Sequence, residues 1–595
     1  MTTLVDDVTW DLSHLIEGTS LDELLDRADA MADEIAAARG TIATIDGPGL
    51  VALMRSQEAL HETIGRAASF AQLQFAADTT SPEHGALMQK VQERYTAIGT
   101  KLIFFDLEWA ALSDERVTEL LAEPGLEFCR HHLENERRYR EFLLSEPEEK
   151  ILAEKAVTGR SAWSRLFSQL TSTIEVELDG RAGTLEEGLS RLQSPDPEVR
   201  RAAAEAVTAG LAPGLSTRAY LFNTLLHDKA VDDRLRGYDH WLASRNLANE
   251  ASDESVEALV IACRKRYDIP QRWYALKARL LGQEQIKDYD RMASVADTEV
   301  TVGWDEARDI VLDSYRSFSP EMADTAKRFF DEQWIDAAAR PGKRPGAFCS
   351  YTVPSVHPYV FLNWTSRQRD VQTLAHELGH GLHAYLASDQ GIFHQGTPLT
   401  VAETASVFGE TVTFNNLLTR TEDDPAARLA LLAENIEDNI ATIFRQVAMN
   451  RFEHLVHTAR REEGELSVDR FGELWAEIQA EMLGEAVEIT PGYRTWWSYI
   501  PHFIGSPGYV YAYAYGQLLA LSVYSRYAEQ GSDFVPRYLH MLSAGGSMAP
   551  EDLGKIVGCD LADPGFWDSG LALVEAQLEA AETAAWESGR LTGPR

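Results

Sequence analysis

Val371-Gln-Thr-Leu-Ala-His376-Glu377-Leu-Gly-His380-Gly-Leu-His383 concentrates more chemistry than any other stretch of the sequence. His376 and His380 are four residues apart, so in a helix their imidazoles share one face, about one turn from each other. Two imidazoles so placed converge on one zinc ion at ~2.0–2.1 Å each. Glu377 lies near such a metal without being forced to bind it. It can therefore take a proton from the water that the metal activates.

The flanking residues supply the helix. Thr365-Ser-Arg-Gln368 reads as a capping box and Gly391 as a stop. Val371, Leu374, Leu378, Leu382 and Tyr385 form an apolar face, and His376, His380 and His383 fall on another. A third ligand is needed. The H-E-x-x-H-x-x-G-x-x-H pattern would place a histidine at position 386, which is Leu386. His383 lies one turn beyond His380, too far along for a metal held between 376 and 380, and reads as a supporting residue. The remaining source is a later helix, in which Glu403 and Glu410 stand seven residues apart on one face. Two inward carboxylates need a cation or donors to compensate them. One would bind the metal, and the other could orient a ligand histidine. Spacing leaves open which does which.

These segments resemble the oligoendopeptidase F branch of the thimet-oligopeptidase-like zinc metallopeptidases. The resemblance is carried by His376-Glu-Leu-Gly-His-Gly-Leu-His383, Val401-Ala-Glu-Thr-Ala-Ser406, Tyr499-Ile-Pro-His-Phe503, Tyr509-Val-Tyr-Ala-Tyr-Ala-Tyr-Gly516 and Leu542-Ser-Ala-Gly-Gly-Ser547. It covers residues from about 200 to 580 and is weaker before 190. It implies that Glu403 completes a set of His376, His380 and Glu403 around one zinc per chain, with Glu410 behind a histidine. It implies a mainly α, gluzincin-type fold: two helical lobes around a deep substrate channel, and a small β-sheet beside the zinc helix. Such a channel admits short unstructured peptides. Tyr359–Trp364 corresponds to the strand before the zinc helix, whose edge would pair with substrate backbone.

The resemblance also implies a role for the tyrosine-rich tail. Attack on a peptide carbonyl creates an oxyanion that fixed donors must hold, and His502 with a tyrosine hydroxyl suits that task. In a helix Tyr509 and Tyr513 share a face, and Tyr511 and Tyr515 share another. Gly505, Pro507 and Gly508 suggest a segment that moves. The catalytic set is then Glu377, His502, Tyr509 and Tyr513. A zinc carboxypeptidase on a similar helical scaffold competes with an endopeptidase and would need a cation to cap the substrate C-terminus. A non-catalytic peptide binder would have no need of Glu377.

Most of the remaining sequence reads as helix. Leu21, Leu24, Leu25, Ala28, Met31 and Ile35 recur at helical spacing between a Ser20 cap and a Gly40 stop. Thr173–Leu178 alternates as a strand, and Asp179-Gly180 is a hairpin turn. Tyr359–Trp364 reads as a second strand, and Pro358 before it is tolerated at a strand start or an edge. Ala339–Gly346, basic and rich in Pro and Gly, is either a surface loop or a mobile segment near a site. His454 and His457 read as a solvated helix face. A boundary near 190 separates an N-terminal helical region ending in a hairpin (1–190) from the catalytic domain (191–595).

Composition bounds the partners. With 55 Lys and Arg against 93 Asp and Glu, the net charge is −38. That argues against nucleic acid and anionic membranes, which require a basic footprint. Four cysteines lie far apart without a C-x-x-C pair, as in a protein kept reduced. No signal peptide and no transmembrane run is read, so a cytoplasmic location is expected.

Overall fold

Ser20 opens the first long helix, Leu21–Ala36, by accepting the Glu23 N–H while the Glu23 carboxylate accepts the Ser20 N–H. The apolar stripe of that helix, Leu24, Leu25, Ala28, Ala32 and Ile35, packs against the helices Gly47–Ala77 and Pro82–Leu102. Each fully buried Leu or Ile there contributes ~1.5–3 kcal/mol. The same pattern recurs along the chain, giving 71% helix and 5% strand, a mainly α protein. The structure is a computed structural model and describes residues 5–295, 300–563 and 565–591.

The chain forms two compact units, both discontinuous in sequence. The first contains Met1–Glu146, Glu299–Leu417 and Ala520–Leu561, and the second Pro147–Thr298, Leu418–Leu519 and Ala562–Arg595. Residue 190 falls inside the second unit. That unit holds the expected hairpin, β1 (Glu175–Leu178) antiparallel to β2 (Arg181–Thr184). Asp179 and Gly180 turn it at φ 53° and 77°, the left-handed pair that a two-residue hairpin requires. An aromatic core of Phe222, Phe452, Phe471, Trp497 and Phe503 also lies in this unit.

The first unit carries the sheet that flanks the H-E-x-x-H helix. β3 (Ile335–Ala338) runs parallel to β5 (Tyr359–Trp364), and β4 (Phe348–Ser350) antiparallel to it, in the order β3-β5-β4. The expectation of an edge strand at Tyr359–Trp364 is therefore corrected: β5 is central, and its first four residues are buried. Pro358 stands just outside the ladder, so its missing N–H removes no strand hydrogen bond. Among the described residues, no strand pairs with the outer edge of β4.

The Ala339–Gly346 segment is a pinned loop. Lys343 Nζ is buried and donates to Asp336 Oδ1 (2.5 Å), Ala338 O (2.8 Å) and Leu362 O (2.6 Å). Arg340 grips the same Asp336 with two 2.7 Å bonds. Gly342 O accepts from Thr79 N, and Arg344 N donates to Ala76 O. A second correction concerns His454 and His457. His457 is buried and stacks on Trp241 at 4.5 Å, and His454 Nδ1 accepts the Trp241 indole N–H at 3.3 Å. Burial pushes the His457 imidazolium well below its ordinary range, so a neutral ring packs as an aromatic. No described helix is long and apolar enough to cross a membrane.

Candidate metal centre

The H-E-x-x-H helix spans Gln368–Leu386. Its cap differs from the expected one: the Asp370 carboxylate accepts the N–H groups of Thr365 and Arg367 and the Thr365 hydroxyl. An acid in the first turn also complements the helix dipole. The helix gives way to a short turn, Ser388–Gln390, and Gly391 follows at φ 74°. Val371, Leu374, Leu378 and Leu382 are buried, as their spacing predicts. Tyr315 reaches the helix from Trp304–Phe318 and donates its hydroxyl to Ala375 O at 2.6 Å.

Glu403 sits at a break between the turn Leu399–Ala402 and the helix Thr404–Thr419. Gly379 lets this segment approach. A Cβ at 379 would lie 2.5 Å from Ala405 O and 2.6 Å from Ser406 Cα, both backbone atoms. The resulting geometry is close to that of an ion's donor set. His376 Nε2 is 3.1 Å from His380 Nε2, and Glu403 Oε2 is 3.3 Å and 3.4 Å from the two nitrogens. Atoms bound at 2.0–2.1 Å to a tetrahedral centre lie ~3.3–3.4 Å apart, so the triangle fits zinc with a fourth position open. Among the described residues, no other group of three His, Cys, Asp or Glu side chains converges in this way.

Neighbouring groups fix the set. His376 Nδ1 lies 2.6 Å from Glu410 Oε1. A proton held there leaves the Nε2 lone pair free for a metal. Ser406 Oγ donates to Glu403 Oε2 at 2.9 Å. Burial works against the His376 imidazolium, yet Glu410, with Glu403 and Glu377, lifts it to about 10. Burial also works against the Glu403 anion, but the two histidines and Ser406 hold it near 2. The surrounding carboxylates thus favour a positive charge on His376. Glu377 is buried, its Oε2 has no hydrogen-bond partner, and burial raises its pKa. His383 is buried and kept neutral, pushed down to about 3 by burial and by His380.

Sequence reasoning passed over several neighbours. Ser406, three residues after Glu403, carries no spacing signal of its own, and Tyr315 lies in a helix far from the motif in sequence. Tyr351, just beyond β4, brings its ring to 6.4 Å from that of His380. Cys349, in β4, has its thiol pushed well above the ordinary range by burial and by the Glu377 charge. Both are read only once the sheet register is known.

His502, Tyr509 and Tyr513 belong to the second unit, where they meet one another. His502 Nε2 and Tyr513 Oη are 3.3 Å apart, and the Tyr509 ring is 6.1 Å from the His502 ring and 5.1 Å from that of Tyr513. The helix begins only at Tyr511, so Tyr509 precedes it and joins the cluster from a turn. Tyr511 and Tyr515 are buried on the other side, against Asn249 (2.9 Å) and Ser255 (3.0 Å).

A mainly helical chain with an H-E-x-x-H pair, a glutamate from a later helix and an unliganded glutamate beside them defines a metallopeptidase. The family model described as Peptidase family M3 matches residues 190–573, and that described as Oligopeptidase F matches residues 108–175. The chain belongs to peptidase family M3, in its oligoendopeptidase F branch, and is a metalloendopeptidase. It is 28% identical to oligopeptidase PepF of Bacillus subtilis over 88% of this chain and 79% of that one. It is 26% identical to group B oligopeptidase PepB of Streptococcus agalactiae, over 84% of each. It shares its fold with oligoendopeptidase-F of Enterococcus faecium (TM-score 0.73, 22% identity, 95% and 99% covered). A Chlamydophila abortus protein matches with a TM-score of 0.85 at 23% identity, over 98% and 100% of the chains.

Proposed function

We propose that the chain is a zinc-dependent endopeptidase that hydrolyses internal bonds of short, unstructured oligopeptides. The observation that carries the metal assignment is the near-equilateral triangle of His376 Nε2, His380 Nε2 and Glu403 Oε2, with sides of 3.1–3.4 Å. When bound, zinc supplies Lewis acidity, which makes water acidic enough to lose a proton near neutral pH. Glu410 holds the proton on His376 Nδ1 and so keeps that ring in the ligating tautomer. Glu377 accepts the proton of the attacking water at its unpartnered Oε2 and passes it to the leaving amine. His502, with Tyr509 or Tyr513, donates to the oxyanion of the tetrahedral intermediate. Their mutual contacts support action as one group.

The oligopeptide preference rests on family membership and on the names of the relatives. Four unpaired cysteines fit a reducing compartment, and we assign the cytoplasm. The test is an internally quenched peptide offered with both ends blocked and with both ends free. Equal cleavage of the two supports an endopeptidase. Cleavage that requires a free C-terminus would make the protein a carboxypeptidase.

A further inference from the structure

The chain between His502 and Tyr509 is fastened at its backbone. Phe503 inserts into the aromatic core, with ring centroids 6.0 Å from Phe222 and 5.1 Å from Phe452. The chain then reverses through Ser506, Pro507 and Gly508. Gly508 takes φ 73°, and a Cβ there would come within 2.6 Å of Leu242 Cδ1. Its N–H donates to Glu453 Oε1 at 2.8 Å. Pro507 O accepts from Arg245 Nε at 3.4 Å, and the Arg245 guanidinium lies 6.0 Å from the Tyr509 ring centre.

Glu453 is the unusual member of this arrangement. It lies on the helix Arg445–Glu462, is 1% exposed, and its second carboxyl oxygen has no partner. A carboxyl buried in this way opposes folding unless what it holds is worth holding. Its hydrogen bond goes to the amide at the pivot between His502 and Tyr509. Without it that amide would be a buried donor with no acceptor.

We propose that Glu453 is a positioning residue for peptide hydrolysis: it fixes the Gly508 pivot and so sets His502 against Tyr509 and Tyr513. This rests on the reading of those three side chains as oxyanion donors. Glu453 touches no substrate and acts through the backbone of the segment. The requirement is an acceptor at this position, not a charge, so the isosteric amide should serve.

The test compares Glu453→Gln, which keeps an acceptor, with Glu453→Leu, which removes it, and with Glu453→Asp, which withdraws it by one methylene. All are measured as zinc-loaded full-length protein. Misplacing donors by about 1 Å can lower a rate ~10²-fold, so Leu and Asp should lose at least ~10-fold in kcat with little change in KM. Gln should stay within ~3-fold of the parent, since the amide preserves the geometry. Hydrogen exchange at the Gly508 amide should accelerate in Leu and Asp but not in Gln, with the zinc helix unaffected. If Leu does not fold, Asp against Gln decides. Parent-like kcat in Asp and Leu, unchanged exchange at Gly508, or a Gln variant as impaired as Leu would each overturn the proposal. His502→Ala and the combined Tyr509→Phe and Tyr513→Phe are measured alongside. If these lose kcat while Glu453→Leu does not, the positioning role alone fails. If they match the parent, the donor reading fails and takes the positioning role with it, whatever the exchange rates.

Discussion

Glu377 and Glu410 are both carboxylates near the same imidazoles, yet their surroundings give them different work. Glu410 is committed to His376 Nδ1 at 2.6 Å, whereas Glu377 keeps a buried oxygen free of partners. Glu377→Gln should therefore retain metal and lose ~10²–10⁴-fold in kcat, because an amide of the same shape cannot take a proton. Metal analysis and kcat on the same sample check this, and near-normal turnover would remove Glu377 from the mechanism. Glu410→Ala should instead weaken zinc binding by ~10–100-fold, the usual effect of removing the partner of a ligand histidine. Competition with a chromogenic chelator measures it, and unchanged affinity would show that His376 needs no such support. The pairing of His376 with His380 was legible because four-residue spacing on a helix is a geometric statement. Spacing alone did not choose Glu403 over Glu410, and the family resemblance did; in the structure Glu403 stands at the break just before the helix that carries Glu410, with its carboxylate 3.3–3.4 Å from the two Nε2 atoms.

Among the elements, the packing of the H-E-x-x-H helix on the glutamate segment depends on Gly379. Gly379→Ala would drive a methyl group into the backbone at Ala405 and Ser406. Overpacking of this kind opposes folding by ~1–3 kcal/mol, and here it also moves Glu403. A lower Tm together with reduced zinc content is expected; a lower Tm with full zinc affinity would show that the ligand set tolerates the shift. Glu453 makes a pH prediction. Burial raises its pKa from 4.5 to about 8 against the opposing Gly508 N–H and Arg245. Between those values the unfolded chain releases the proton and the folded protein keeps it, so this group's contribution to stability falls as pH rises from 4.5 to about 8 and then levels. Glu453→Gln should remove that slope, gaining stability relative to the parent as pH increases. Parallel unfolding curves for the two proteins across this window would contradict the burial argument. Elements with strong local signals, such as the Ser20-capped helix and the Asp179-Gly180 hairpin, were readable in the sequence. The central place of Tyr359–Trp364 was not, because strand order depends on partners more than ten residues away, and Pro358 looks the same before an edge or a central strand.

For the molecule as a whole, helical class and peptidase family were within reach of the sequence, because motifs spread over residues 376–547 point to one family. The interleaving of the two units was not, since compositional breaks mark linear boundaries and these units each draw on three separated segments. The central claim is a metal-dependent attack on internal peptide bonds. It is tested most directly by stripping the protein of metal, adding zinc in steps, and following cleavage of a quenched peptide blocked at both ends. The account predicts no cleavage by the stripped protein and activity that rises to a plateau at one zinc per chain, with Glu377→Gln binding the same single zinc at a plateau ~10²–10⁴-fold lower. Cleavage of the blocked peptide by fully stripped protein, or none at full zinc loading, would contradict it.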